Sequence, residues 1–455
     1  MITFLRQVFE KNLDQDALVW QDRIYKYREL LNSLEILSLR MKEAKVGPNQ
    51  VVALEADFSP NALVLMLALI EKRCVIVPLS STVSAQKEEF CRIAEVERVI
   101  SINENDEVEI LSINQNVQTT QQPLIQTLKD RNHPGLILFS SGSTGKSKAA
   151  LHDFVPLLEK FKRPRKTLRT LTFLLFDHIG GINTIFYTLA NGGCAVTIKD
   201  RSPEAICQAI QTYQVELLPT SPTFINLLLL SEAWKRFDLS SLKLVTYGTE
   251  VMPAPTLQRF HQLFPDIKLQ QTYGLSEIGI LSSKSRSADS LWLKIGGSGI
   301  EYRIVDKILQ IKTPSAMVGY LNAPSPFTDD GWFDTGDEVE VDGDYIRILG
   351  RSSEIINVGG EKVWPAEVED VLLTISGVED VAVTGRANPI TGQMVQARVK
   401  INTNESLSDF RKRMRQYCKD RLPQYKIPQQ VIIEEEGFHG SRFKKIRRQN
   451  SDTTK

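Results

Sequence analysis

A chain of 455 residues is longer than one hydrophobic core usually organises, so two or more domains are expected. Hydrophobic residues make up 42% and charged residues 24%, as in ordinary globular proteins, and 55 basic side chains balance 55 acidic ones. That balance excludes a global field that would draw nucleic acid or an anionic membrane, so neither is an expected partner.

Cys74, Cys91, Cys194, Cys207 and Cys418 are scattered without a C-x-x-C pair, which argues against a zinc site or a disulfide framework. Arg6, Glu10 and Lys11 interrupt the N-terminal apolar pattern and speak against a signal peptide. The longest apolar run, Ala62 to Ile70, is too short to span a bilayer. A cytoplasmic protein without stable membrane insertion is expected.

Strands and helices alternate along the chain in the manner of α/β folds. Tyr27, Leu30, Leu31, Leu34 and Leu37 recur at helical spacing, and Val51 to Leu54 reads as a strand after the turn at Gly47-Pro48. A helix over Pro60 to Ile70 and a strand over Val75 to Pro78 complete a βαβ-like unit. The polar stretch from Asn103 to Gln122 reads as an irregular linker.

Leu136, Ile137, Leu138 and Phe139 then form a buried strand that leads into SSGSTGKSK, Ser140 to Lys148. Ser141, Gly142, Ser143, Thr144 and Gly145 supply hydroxyls and flexible backbone amides at a strand end, and Lys146 and Lys148 supply charge, a combination suited to phosphate. A solvated Gly/Ser turn is the plain alternative. The Walker pattern fits only in its second half, because Ser140 stands where the first glycine belongs; a phosphotransferase therefore remains a secondary reading.

Ala195–Ile198, Val215–Leu218, Lys243–Tyr247 and Lys268–Thr272 read as further strands. Ligands of such sheets gather at the carboxyl ends of strands, so the loops at Pro219–Pro222, Tyr247–Glu250 and Thr272–Gly274 are candidates for one pocket. Four segments in order, SSGSTGKSK, YGLSE (Tyr273–Glu277), DGWFDTGD (Asp330–Asp337) and GRSSEIINVGGEKVWPAEVE (Gly350–Glu369), resemble the conserved blocks of adenylate-forming enzymes. That superfamily includes acyl-CoA synthetases, luciferases and nonribosomal adenylation domains, and the resemblance extends over nearly the whole chain. Ser147 stands where the family has proline and Ser276 where it has threonine.

The resemblance implies an α/β fold with a large N-terminal domain of layered sheets and helices, residues 1–350, and a small mobile α+β C-terminal domain, residues 351–455, hinged near Ser353. It implies ATP-dependent activation of a small carboxylic acid to an acyl adenylate, with pyrophosphate release, followed by transfer to CoA or to the phosphopantetheine of an acyl carrier protein. Joining two anions demands cations and oriented donors. Glu277 is the expected Mg²⁺ ligand, since one carboxylate with phosphate oxygens and waters suits that ion. Thr144 and Lys148 join it as catalytic candidates.

By the same resemblance Tyr273 stacks on adenine, Thr272, Gly274 and Ser276 line the nucleotide, and Gly248, Thr249 and Glu250 border the adenine. Asp337 accepts ribose hydroxyls beside Arg351. In the tail SRFKKIRR, spacing to Ile446 and Arg448 favours Lys445 over Lys444 as the lysine that closes the adenylation site. Gly359 and Gly360 leave room for a pantetheine arm. Asp177 and His178, with Gly274, are expected at the acyl pocket; in amino-acid-activating members an aspartate holds the substrate ammonium, whereas His178-Ile179-Gly180-Gly181 points to a non-amino acid. A binding-only homologue is the third reading, kept open by Ser147, Ser353 and Lys444.

Overall fold

The computed structural model describes residues 1–112, 122–141, 146–440 and 442–447. Two seven-stranded sheets dominate its first part. In one, Lys268–Gln271, Leu244–Tyr247, Leu217–Thr220, Arg169–Leu171, Cys194–Val196 and Asp16–Trp20 run parallel, and Arg23–Lys26 closes the edge antiparallel. In the other, Gly135–Ser141, Val75–Leu79, Val51–Glu55 and Arg98–Ile102 are parallel, flanked by antiparallel Ser147–Asp153 and Val108–Ser112, with Gly319–Tyr320 antiparallel to Ser147–Asp153 at the edge.

Val75–Leu79 is buried at every position, as expected of a central parallel strand covered on both faces. Helix Pro60–Glu71 starts where the Ser59 side chain accepts from the Ala62 amide, with Pro60 at its first position. Every residue from Ala62 to Ile70 is buried, so this helix lies inside the protein rather than on it. One core cluster joins Leu18 and Ala195 of the first sheet to Leu54, Ile76 and Leu136 of the second.

A six-stranded antiparallel sheet follows, in the order Ser282–Ser285, Leu293–Gly296, Tyr345–Arg351, Phe333–Asp342, Ile308–Lys312, Glu301–Val305. The C-terminal region has its own sheet, built from Glu361–Val363, Ile356–Val358, Gly392–Ile401 and Val378–Asn388, with Gln430–Ile433 parallel to Gly392–Ile401. Helices Pro365–Leu372 and Leu407–Cys418 contribute Val368, Leu372, Phe410 and Met414 to a separate core that begins at Ile356. Ser353 lies in the turn Ser352–Glu354 between these two sheets.

The fold is the expected α/β class with a small α+β C-terminal unit. One local expectation differs: Val108–Ser112, read as part of a linker, is an edge strand paired with Arg98–Ile102. Its alternation of half-buried Val108 and Ile110 with exposed Glu109 and Leu111 suits a strand covered on one face only. All five cysteines are buried and unpaired. No helix among the described residues is long and apolar enough to cross a membrane.

Candidate active site

Two parallel strands bring their carboxyl-end loops together. The Thr272 amide and hydroxyl both donate to the Tyr247 carbonyl, at 2.7 and 3.0 Å. A Cβ at Gly248 would stand 2.7 Å from Thr272 Oγ1, so this approach is possible only without a side chain. Thr249 takes a left-handed conformation with φ 74°, which turns the chain at the strand end. At Gly274 a Cβ would lie 2.5 Å from the Gly279 carbonyl oxygen, so the glycine is required by its own hairpin.

Tyr273 is buried and donates its hydroxyl to Asp337 Oδ2 at 2.6 Å. Asp337 and Arg351 face each other across neighbouring antiparallel strands, and Arg351 Nε meets Asp337 Oδ1 at 2.8 Å while its Nη1 donates to the Thr335 carbonyl. Burial raises the Tyr273 hydroxyl well above its ordinary range, so it stays a donor. Burial also raises the Asp337 carboxyl, against the opposing pull of Arg351. Tyr273, expected to stack on a base, thus also orients the carboxylate expected to take the ribose.

Glu277 Oε1 accepts from the Tyr320 hydroxyl at 2.6 Å, and Lys148 Nζ sits 5.1 Å from the centre of the Tyr320 ring. Below them His152, fully buried, donates from Nε2 to the Ser276 carbonyl at 2.6 Å; burial lowers its pKa and keeps it neutral. Lys148 pairs with Ser140 on the strand arms that flank the phosphate loop. Ser141 ends the first arm, and Gly142, Ser143, Thr144 and Gly145 lie outside the described residues. Among the described residues no group of three His, Cys, Asp or Glu could hold a metal by itself. The lone carboxylate of Glu277 suits an ion that arrives with phosphate oxygens.

His178 caps helix Ile179–Ala190, its Nδ1 accepting from the Gly180 amide at 2.9 Å. Burial, with Arg442 and Lys444 nearby, pushes its pKa down to about 3. The ring is therefore neutral, and since Nδ1 accepts, the proton is on Nε2. A Cβ at Gly181 would fall 1.9 Å from the Leu175 carbonyl oxygen, which explains the glycine pair after the histidine. Asp177 Oδ2 accepts from Ser80 Oγ at 2.9 Å and from Arg442 Nη2 at 2.8 Å.

The tail folds back as a hairpin in which His439 bridges Lys445. Phe443 packs against Phe173 and Phe224 with ring centres 5.2 and 5.6 Å apart, and its carbonyl accepts from Ser221 Oγ at 2.6 Å. Glu250, expected beside adenine, accepts the Thr223 amide on Oε1 and the Lys445 amide on Oε2, tying a helix start to the tail.

Lys445, expected to reach the nucleotide, turns the other way. Its Nζ donates to the Val381 carbonyl at 2.8 Å and lies 3.6 and 3.8 Å from Asp380 and Glu369, leaving the side chain 10% exposed. Neighbouring residues of an extended arm face opposite sides, and these buried acids claim Lys445. Lys444 is exposed, and its charge acts on both His178 and Asp337. Burial alone would raise Glu369, but Arg447 and Lys445 hold its carboxyl down at about 2. Gly359 and Gly360 form the two-residue turn between Ile356–Val358 and Glu361–Val363, with φ 62° and 94°.

Sequence reasoning gave no role to Ser80, His152, Tyr320 and Arg442, each of which acts on a residue far away in the chain.

The AMP-binding enzyme family model matches residues 4–321, and the model of the AMP-binding enzyme C-terminal domain matches residues 367–437. The indoleacetate–CoA ligase of Aromatoleum aromaticum is 29% identical over 334 residues, covering 67% of this chain and 64% of that protein's length. The 2-succinylbenzoate–CoA ligase of Enterococcus faecalis is 24% identical over 471 residues, covering 95% of this chain and 94% of that protein. Among solved structures, the anthranilate CoA ligase AuaEII in complex with anthranoyl-AMP shares the fold, with TM-score 0.82 at 18% identity, covering 98% of this chain and 95% of that one.

Proposed function

The chain belongs to the AMP-binding enzyme family, and we propose that it joins a small carboxylic acid to ATP and passes the acyl group to CoA. The observation that carries this reading is the buried cluster of Tyr273, Asp337 and Arg351, together with a tail that docks on the same domain through Ser221, Glu250 and Asp177. Relatives named as CoA ligases support CoA as the thiol.

In the first step a carboxylate oxygen of the acid attacks the α-phosphorus of ATP. An O–P bond forms, the bond to the bridging oxygen breaks, and pyrophosphate leaves with the electron pair. Asp337, held by Tyr273 and Arg351, presents its carboxylate to the ribose, while Lys444 and Lys148 offset the charge gathering at phosphorus. Magnesium, when bound, would neutralise phosphate charge, with Glu277 as its protein ligand.

In the second step the CoA sulfur attacks the acyl carbon, the bond to the AMP oxygen breaks, AMP departs and the thiol proton goes to solvent. The tail that completes the first step fills the space beside Asp177 and His178, so the region after Ser353 rotates about that residue between the steps, while Arg351 stays paired with Asp337. Gly359 and Gly360 then border the pantetheine path.

Incubation with ATP, Mg²⁺, CoA and a panel of aromatic, fatty, short-chain and amino acids tests this, with nucleotides separated and thioesters identified by mass. AMP together with an acyl-CoA is expected. ADP as the product would favour the phosphotransferase reading.

A further inference from the structure

The acyl side of the site contains a buried carboxylate that no described residue of the large domain meets with a cation. Asp177 is 6% exposed, and both of its hydrogen-bonded partners sit on Oδ2: Ser80 Oγ and Arg442 Nη2. Its Oδ1 is buried and has no partner among the described residues. An ionised carboxylate in such a place needs a cation. His178, next to it, is held neutral by burial. Arg201 feels Asp177 and Asp57 electrostatically, but its Nη1 points at the Phe173 carbonyl at 3.3 Å and its guanidinium lies 5.3 Å from the centre of the Phe443 ring. The cation in contact with Asp177 is therefore Arg442, which comes from the tail, 265 positions further along the chain.

The contact is reinforced on either side. Phe443, the next residue, packs against both Phe173 and Phe224. Ser221 fixes the Phe443 carbonyl, and Glu250 fixes the Lys445 amide. Arg442 is thus placed where tail docking and the acyl pocket meet.

We propose that Arg442 is a positioning residue that docks the tail by pairing with Asp177, and that this internal cation suits the pocket to acids without an ammonium group. The inference rests on the acid-activating function proposed above and names its substrate class. When Arg442 is seated, Asp177 already has its positive partner, so an amino acid would have to displace the guanidinium and loosen the tail that carries Lys444. An acid without an ammonium leaves the pair intact. When the C-terminal region turns away for the second step, Asp177 loses its cation, so the pair favours the arrangement described here.

Two measurements on the full chain separate this inference from the function it rests on. Hydrogen exchange of the Phe443, Lys445 and Ile446 amides reads tail docking without any substrate. Arg442→Ala is expected to accelerate it about tenfold or more, with Arg442→Lys recovering part of the protection. Unchanged exchange in Arg442→Ala overturns the docking role, whatever the catalytic activity. The second readout is acid-dependent pyrophosphate exchange across matched acids with and without an amino group. Arg442→Ala should raise KM for the acid without the group and shift the kcat/KM ratio towards the amino acid by about tenfold. A ratio equal to that of the wild type overturns the specificity role. Silence of the wild type with every acid would sink the proposed function, while the amide result would still decide whether Arg442 docks the tail.

Discussion

Tyr273, Asp337 and Arg351 are held by contacts made on the N-terminal side of Ser353, through one antiparallel register and one buried tyrosine hydroxyl. Phe443, Lys444 and Lys445 stand only a short way off, but their positions depend on two regions at once: Ser221, Glu250 and Asp177 on one side, Val381, Glu369 and Asp380 on the other. The first wall needs nothing from the C-terminal region to keep its shape. The tail is held by both regions at once, so in the function proposed here it is the part that comes and goes. Preorganised groups suit the nucleotide, and conditional groups suit a step that must be undone.

Exchanging the two lysines tests this contrast most severely. Lys444→Ala should lower acid-dependent pyrophosphate exchange by about 10²–10³-fold, as when one stabilising charge is removed from a transition state. Lys445→Ala should cost less activity and lower the melting temperature instead, because Glu369 and Asp380 lose a buried partner. The reverse ranking would return the closing role to Lys445.

Gly181→Ala probes the large-domain side, where a methyl group would meet the Leu175 carbonyl at 1.9 Å. A loss of about 3 kcal/mol of stability is expected in denaturant unfolding. His178→Ala should cost about 1 kcal/mol through the lost helix cap, and His178→Asn should restore most of it, since asparagine is a good cap. If both variants lost acid turnover equally while only one lost stability, His178 would have a part in the acyl pocket beyond capping.

The smallest effect belongs to the contact between the regions. Burial pushes the Asp370 carboxyl up to about 7, against the Ala254 amide that donates to it at 3.2 Å, with Glu369 adding to the rise and Arg347 and Lys445 opposing it. A carboxyl raised on folding binds its proton more tightly in the folded state, so stability falls as pH rises from the ordinary carboxylate range through about 7. The difference in melting temperature between pH 5.5 and pH 8 should shrink in Asp370→Asn.

Tyr273, Asp337 and Arg351, proposed to hold the nucleotide, could be picked out in the sequence because they fall in short runs, and the structure brings the three together. The parallel strands were legible too, as continuous apolar runs such as Val75–Leu79. The edge strand Val108–Ser112 was not, since one-sided burial leaves it polar enough to resemble a linker. Ser80, His152, Tyr320 and Arg442 lie 97, 124, 43 and 265 positions from the groups they contact, and no local pattern marks them. That Lys445 would lie beside Glu369 and Asp380 was beyond motif spacing, because these acids come from a distant part of the C-terminal region.

Exchange of labelled pyrophosphate into ATP by the wild-type chain, with Mg²⁺ and the same panel of acids, tests the adenylating function most directly. Exchange that requires the acid, strongest with acids lacking an ammonium group, is the predicted result. Absence of exchange across the panel, from folded protein that still binds ATP, would contradict it.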